Sequence, residues 1–234
     1  MKERGILYGV GVGPGDAELV TLKALRVMRA CDLLILPEAD RENCRAWQIA
    51  RAACPELTDK AVLGFSFPMT RDRARRDAAL AEIWRELAAL LDAGKALAFL
   101  TIGDPGVYST FSYMSERAQR DGYRTAVVPG VPSFAACAAS LGLPLELDRE
   151  ALHLIPGSED LESALALPGT KVFMKLGKCM PALKEALLAA EEAGRFTVTA
   201  VSDCGPQELC FRGAEALPED APYMTTVIVK DREA

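Results

Sequence analysis

Thr101-Ile102-Gly103-Asp104-Pro105-Gly106-Val107-Tyr108-Ser109-Thr110 gathers two glycines, a carboxylate, a proline and three successive hydroxyls directly behind the apolar run Ala96 to Leu100. Gly103 and Gly106 let the backbone turn and let a ligand approach where a Cβ would collide. Asp104-Pro105 imposes an extended or turn conformation. Tyr108, Ser109 and Thr110 offer hydroxyls where a following helix would begin. In an open α/β sheet, ligands sit just outside the carboxyl ends of strands, so this stretch is expected to be a ligand-binding loop. A capped strand-to-helix connection would explain it if it stood alone, but two further glycine-bearing strand ends accompany it.

The first of these is N-terminal. Gly5 to Val12 reads as a buried strand and runs into Gly13-Pro14-Gly15-Asp16. Glycines at 9, 11, 13 and 15 invite a dinucleotide reading, but the register fails. A G-x-G-x-x-G frame from Gly9 needs glycine at Pro14, and one from Gly11 needs it at Asp16. Pro14 also removes an N–H that a pyrophosphate would use. Glu38 lies near where a ribose-binding acid would fall, yet a lone acid there is common. No G-x-x-x-x-G-K-[ST] run is present, which argues against a nucleotide P-loop. The other strand end is Val127-Val128-Pro129-Gly130-Val131-Pro132-Ser133-Phe134-Ala135-Ala136, a Pro-Gly turn before a small-residue helix that Ser133 is suited to cap.

Other chemistries find little support. The single histidine, His153, lies in a strand-like segment and reads as a packed or edge residue. The seven cysteines include no C-x-x-C pair, so neither a catalytic zinc site nor a Ser-His-Asp triad is expected. Cys31 and Cys137 sit in apolar helical contexts and read as core thiols, which fits a reducing, cytoplasmic setting. The formal net charge of −6 argues against a nucleic-acid partner held through phosphates. No apolar run reaches membrane-spanning length and no signal peptide is expected.

These loops need a scaffold, and the 234 residues supply an alternation of strand and helix patterns. Strands are expected at 5–12, 32–36, 61–65, 96–100 and 123–128, with helices at 19–29, 42–53, 71–92 and 109–120. Leu80, Ile83, Trp84, Leu87, Leu90 and Leu91 recur at helical spacing. The alternation predicts a mostly parallel sheet covered on both faces. Beyond Pro129 the pattern changes: a helix at 133–141, strands at 151–155, 170–174 and 197–202, a helix at 180–193, and strands at 208–212 and 225–230. That half is expected to be mixed α/β with antiparallel edges. The division is placed after Pro129, giving domains 1–129 and 130–234 with a ligand in the cleft between them.

With these loops in place the chain resembles the tetrapyrrole methylases, which use S-adenosylmethionine (SAM). The matching residues are Gly11-Val12-Gly13-Pro14-Gly15-Asp16 with Leu19 and Thr21-Leu22-Lys23-Ala24, then Gly103-Asp104-Pro105 and Pro129-Gly130-Val131-Pro132-Ser133. Val172-Phe173-Met174-Lys175-Leu176 and Tyr223-Met224-Thr225-Thr226-Val227 complete the set. Three stretches look most like the subgroup acting on C20 of precorrin-2 or cobalt-factor II in cobalamin synthesis. They are Phe65-Ser66-Phe67-Pro68-Met69-Thr70, Tyr108-Ser109-Thr110-Phe111, and Ser133-Phe134-Ala135-Ala136 leading to Leu143-Pro144-Leu145.

The resemblance implies a two-domain α/β tetrapyrrole methylase fold with SAM in the inter-domain cleft, a reduced tetrapyrrole substrate and a homodimer. It implies SAM contacts at Pro14, Ile102, Gly103, Asp104, Val107, Pro132, Ser133 and Leu176. The family position for a proposed catalytic acid falls at Pro37, beside Glu38, and that role is not transferred; no catalytic residue and no metal is assigned. The substrate's carboxylates call for cations. Arg71, Arg73, Arg75 and Arg76 cluster after Phe67-Pro68-Met69, with Asp72 and Asp77 among them, so a solvated helix start is the competing explanation. Lys175 and Lys178 are alternatives.

Overall fold

The computed structural model describes residues 4–68, 70, 72–146, 149–157, 160–220 and 222–232. Met69 and Arg71 lie outside the described residues. The chain forms two units, Met1–Pro132 and Ser133–Ala234.

In the first unit the elements are β1 (Ile6–Gly11), α1 (Leu22–Ala30), β2 (Leu33–Leu36), α2 (Arg45–Ala53), β3 (Val62–Gly64), α3 (Arg73–Asp92), β4 (Ala96–Thr101), α4 (Phe111–Arg120) and β5 (Arg124–Val128). The strands lie in the order β3-β2-β4-β1-β5, every neighbouring pair parallel. Side-chain alternation divides the core into two layers. Leu34, Leu36, Val10, Ala98 and Leu100 pack with Ala24 and Met28 of α1 and Trp47 of α2 on one face. On the other, Leu7, Ile35, Leu97 and Phe99 pack with α3 and α4. Burial on both faces explains why these strands read as continuous apolar runs.

Helix α3 buries Leu80, Ile83, Trp84, Leu87 and Leu91, the stripe expected from its spacing. Each such side chain contributes roughly 1.5–3 kcal/mol on burial. It begins at Arg73 because the Asp72 carboxylate accepts the Arg75 N–H at 3.1 Å, capping the first turn. Midway along the helix, the Trp84 indole N–H donates to Asp121 at 2.7 Å.

The second unit contains α5 (Ser133–Leu141), β6 (Leu152–Pro156), α6 (Leu161–Leu165), β7 (Thr170–Met174), α7 (Met180–Glu192), β8 (Phe196–Ser202), β9 (Leu209–Arg212) and β10 (Thr225–Asp231). Strand order is β6-β7-β10-β8-β9. Among the described residues, β6 and β7 pair in parallel and the other strand pairs are antiparallel. The expectation of antiparallel edges holds at β9, which pairs antiparallel with β8, and is corrected at β6, whose pairing with β7 is parallel. The last strand, β10, inserts centrally and not at an edge. Thr225 to Val229 are all buried, which suits a strand covered on both sides. Val227 and Val229 face Leu183 and Leu187 of α7, while Ser133 at the start of α5 meets Thr226 on the opposite face. His153 lies on edge strand β6, its ring nitrogen 2.9 Å from the Pro168 carbonyl oxygen.

Candidate functional site

The chain leaves β1 and β4, which are adjacent, on opposite faces of the first sheet: α1 lies in one layer and α4 in the other. Such a change of face marks the carboxyl ends where open α/β sheets take their ligands. Three loops meet there. Gly13 and Gly103 form an isolated antiparallel bridge. The Gly103 N–H donates to the Gly13 carbonyl at 2.7 Å, and the Val12 N–H to the Thr101 carbonyl at 2.9 Å. Both glycines have positive φ, 75° and 70°, a conformation that a side chain disfavours.

The third loop closes on the other two. A Cβ at Gly130 would lie 2.1 Å from the Gly103 carbonyl oxygen, and one at Gly11 would lie 2.5 Å from the same atom. Close backbone packing therefore requires glycine at 11 and 130. Asp104 then clamps the loops. Its Oδ1 accepts the Gly106 N–H at 2.7 Å, and its Oδ2 accepts the Gly130 N–H at 3.0 Å. Sequence alone did not reveal this clamp; Asp104 was expected only as a ligand contact.

Ile102 and Val107 flank this turn half-buried, and Pro14 is buried in the facing loop. Ser109 accepts the Phe111 N–H at 3.1 Å and lies 2.9 Å from the Thr101 hydroxyl. It thus organises the start of α4, which begins two residues later than its sequence predicted. Tyr108 has φ 48°. In the N-terminal motif, Asp16 accepts the Glu18 N–H at 2.9 Å and Thr21 accepts the Ala24 N–H at 3.1 Å. Those two residues form caps. Glu38 bonds the neighbouring Ala39 N–H at 3.0 Å, directly after β2. In the arginine cluster, Arg73 and Arg76 both approach Asp77, at 3.8 and 3.9 Å.

The second unit has its own loop-bearing edge. Strands β6, β7 and β8 end there and β10 begins there, as their pairing requires. Buried Leu176 lies just beyond β7. Ser133 is the first residue of α5, so it stands within the helix and not before it; its hydroxyl lies 3.4 Å from that of Thr226. Lys175 and Asp203, which follow β7 and β8, have φ 54° and 51°. The buried thiols Cys137 and Cys204 are 2.8 Å apart. Cys137 is pushed up by its hydrogen bond to Cys204 and then by burial.

The residues implied as SAM contacts therefore fall into two groups. Pro14, Ile102, Gly103, Asp104, Val107 and Pro132 belong to the first unit, and Ser133 and Leu176 to the second. The first group offers backbone polar groups beside apolar Ile102 and Val107, a set able to take a ligand with both polar ends and a flat apolar ring.

Two α/β units, each with a loop-bearing strand edge, define the protein class. A solved uroporphyrin-III C-methyl transferase from Thermus thermophilus, complexed with S-adenyl homocysteine, has this fold. It superposes with a TM-score of 0.68 at 24% identity, covering 97% of each chain. The family described as Tetrapyrrole (Corrin/Porphyrin) Methylases matches residues 6–214, and the chain belongs to it. A cobalt-precorrin-2 C(20)-methyltransferase of Salmonella typhimurium is 32% identical over 232 residues, covering 96% of both chains. A probable enzyme of the same name from Methanocaldococcus jannaschii is 35% identical over 171 residues, covering 72% of this chain and 71% of its own.

Proposed function

We propose that this protein transfers a methyl group from SAM to C20 of precorrin-2 or cobalt-factor II in cobalamin biosynthesis. The observation that carries this reading is the end-to-end likeness to the Salmonella C(20)-methyltransferase. The converging glycine loops of the first unit support it on the structural side.

Bound SAM supplies a methyl group already activated on a sulfonium. The protein must then hold donor and acceptor in line and keep water out, an arrangement that can be worth roughly 7–11 kcal/mol. Ile102, Val107 and Leu176 supply apolar contact. Backbone groups near Gly103, Pro14, Pro132 and Ser133 supply polar contact, and Asp104 fixes the turn that presents them. The acceptor is a meso carbon made electron-rich by adjacent pyrrole nitrogens. Methyl transfer forms one carbon–carbon bond, breaks the sulfur–methyl bond and is followed by proton loss from the acceptor. Among competing carbons, the one held behind the sulfur–methyl bond reacts.

The same reading includes a homodimer acting in the cytoplasm. Edge strand β9 supports self-association, since it stands last in the strand order among the described residues and leaves Leu209 59% exposed.

Calorimetric titration with SAM, S-adenosylhomocysteine, NAD and ATP tests the cofactor assignment. Saturable binding of the first two alone is expected. NAD binding without a SAM signal would overturn the reading.

A further inference from the structure

Two cysteines 67 positions apart in sequence meet inside the second unit. Cys137 lies on α5, and Cys204 lies in the loop that follows β8. Both are buried, and their sulfurs are 2.8 Å apart. Packed but unbonded carbon atoms keep about 3.5–4.0 Å between them, and sulfur is larger. A disulfide bond is about 2.0 Å long. The pair therefore stands between ordinary contact and a bond.

The two thiols are not equivalent. Cys204 is the more accessible, since Cys137 has no exposed surface at all. Hydrogen bonding between the two sulfurs holds the Cys204 thiol below its usual pKa and pushes that of Cys137 up. Cys204 is thus the readier thiolate, which is the form that attacks. Its sulfur also lies 4.0 Å from the Ser133 carbonyl oxygen. Ser133 and Cys137 are four residues apart and share one face of α5, so Cys204 meets that face at both. Cys210 on β9 provides the contrast. It is exposed, but partial desolvation and the Glu208 carboxylate, 3.7 Å from its sulfur, push its pKa up.

We propose that Cys137 and Cys204 form a reversible oxidative-modification site that takes a small peroxide as its oxidant and closes to a disulfide fastening α5 to the end of β8. In the first step the Cys204 sulfur attacks one oxygen of hydrogen peroxide. The oxygen–oxygen bond breaks, and the departing hydroxide takes the Cys204 proton and leaves as water. In the second step the Cys137 sulfur attacks the resulting sulfenic acid. The sulfur–sulfur bond forms, the sulfur–oxygen bond breaks, and the hydroxyl leaves with the Cys137 proton as a second water. The two thiols together lose two electrons, and the peroxide gains them. Capture by Cys137 also keeps Cys204 from passing on to the irreversible sulfinic acid. This inference stands apart from the methyl-transfer reading.

The test treats the full-length, reduced wild-type protein with hydrogen peroxide, removes the excess with catalase, alkylates the remaining thiols and maps the peptides by mass spectrometry. The peptides carrying Cys137 and Cys204 should be recovered joined, and dithiothreitol should separate them. The oxidised protein should melt about 5–10 °C higher than the reduced one, because the bond closes a long loop of the unfolded chain. Dithiothreitol should reverse that rise. In Cys137→Ala the rise should vanish, and Cys204 should go on to the sulfinic acid under the same exposure. Recovery of Cys137 and Cys204 as alkylated thiols at a peroxide dose that oxidises Cys210 would overturn the proposal. So would a disulfide joining Cys204 to any other cysteine, or a Cys137–Cys204 bond that leaves the melting midpoint unchanged. The mapping and melting of wild type decide the matter by themselves, so a Cys137→Ala variant that does not fold leaves the test intact.

Discussion

Asp104 ties Gly106 and Gly130 together through two backbone N–H groups, joining the loops after β4 and β5. Asp104→Ala leaves both donors without that partner. The expected cost is about 2 kcal/mol of stability, read by denaturant unfolding, as for loss of charge-assisted bonds. SAM affinity should fall at least tenfold in the still-folded variant, read by calorimetry. Unchanged affinity would mean that the turn has no part in the site. The turn itself was legible in sequence, because Gly103-Asp104-Pro105 permits few backbone paths. The partner of Asp104 was not: Gly130 lies 26 residues away and comes near only because β5 pairs with β1 and β1 with β4. Likewise Gly11 read as part of a glycine run and Gly130 as half of a turn, whereas their missing side chains admit the Gly103 carbonyl.

Among the elements, the β7–β10 pair has an ionic clasp between fully buried Lys171 and the solvent-accessible Asp231 carboxylate. Lys171 donates to Asp231 and to the Gly169 carbonyl, while the Gly169 N–H donates to the other Asp231 oxygen at 2.7 Å. Burial pushes the Asp231 carboxyl up. The Lys171 bond, the Gly169 N–H and nearby positive charge outweigh it and hold the group below its usual 3.8. A depressed carboxylate stabilises the fold above its unfolded pKa and loses that contribution as pH falls through the folded value. Asp231→Asn should cost about 1 kcal/mol near neutral pH, because it removes the counter-charge of a buried ammonium from a position that solvent partly screens. The gap from wild type should narrow as pH drops below about 4. Unfolding midpoints across that range check both claims; a constant gap would exclude the linkage.

Most element positions were legible, with α3 clearest because its apolar stripe, Leu80 to Leu91, spans about three turns. The place of β10 was not. Thr225-Thr226-Val227-Ile228-Val229 marks a strand by its β-branched residues, but composition does not reveal whether a chain-terminal strand sits at the rim or the centre. The cluster Arg73-Arg75-Arg76 shows the converse limit. Its charge was plain in the sequence, while the shared pairing of Arg73 and Arg76 with Asp77 emerged only in the fold.

For the whole molecule, family membership and a precorrin-2 C20 assignment make different demands. The glycine loops and two sheets serve a methylase; selection of C20 requires a particular carbon to be held in line with the donor. Phe67-Pro68 and Tyr108-Ser109-Thr110-Phe111 carried the subgroup resemblance, and Phe67 and Phe111 each pack against Phe99. The most direct measurement is carbon NMR of the product formed from precorrin-2 or cobalt-factor II with methyl-labelled SAM. The label should appear as one methyl on the C20 meso carbon. A label on a ring carbon such as C11 or C17 would contradict the C20 assignment while leaving the methylase class intact, and no transfer to either substrate would contradict the proposed reaction itself.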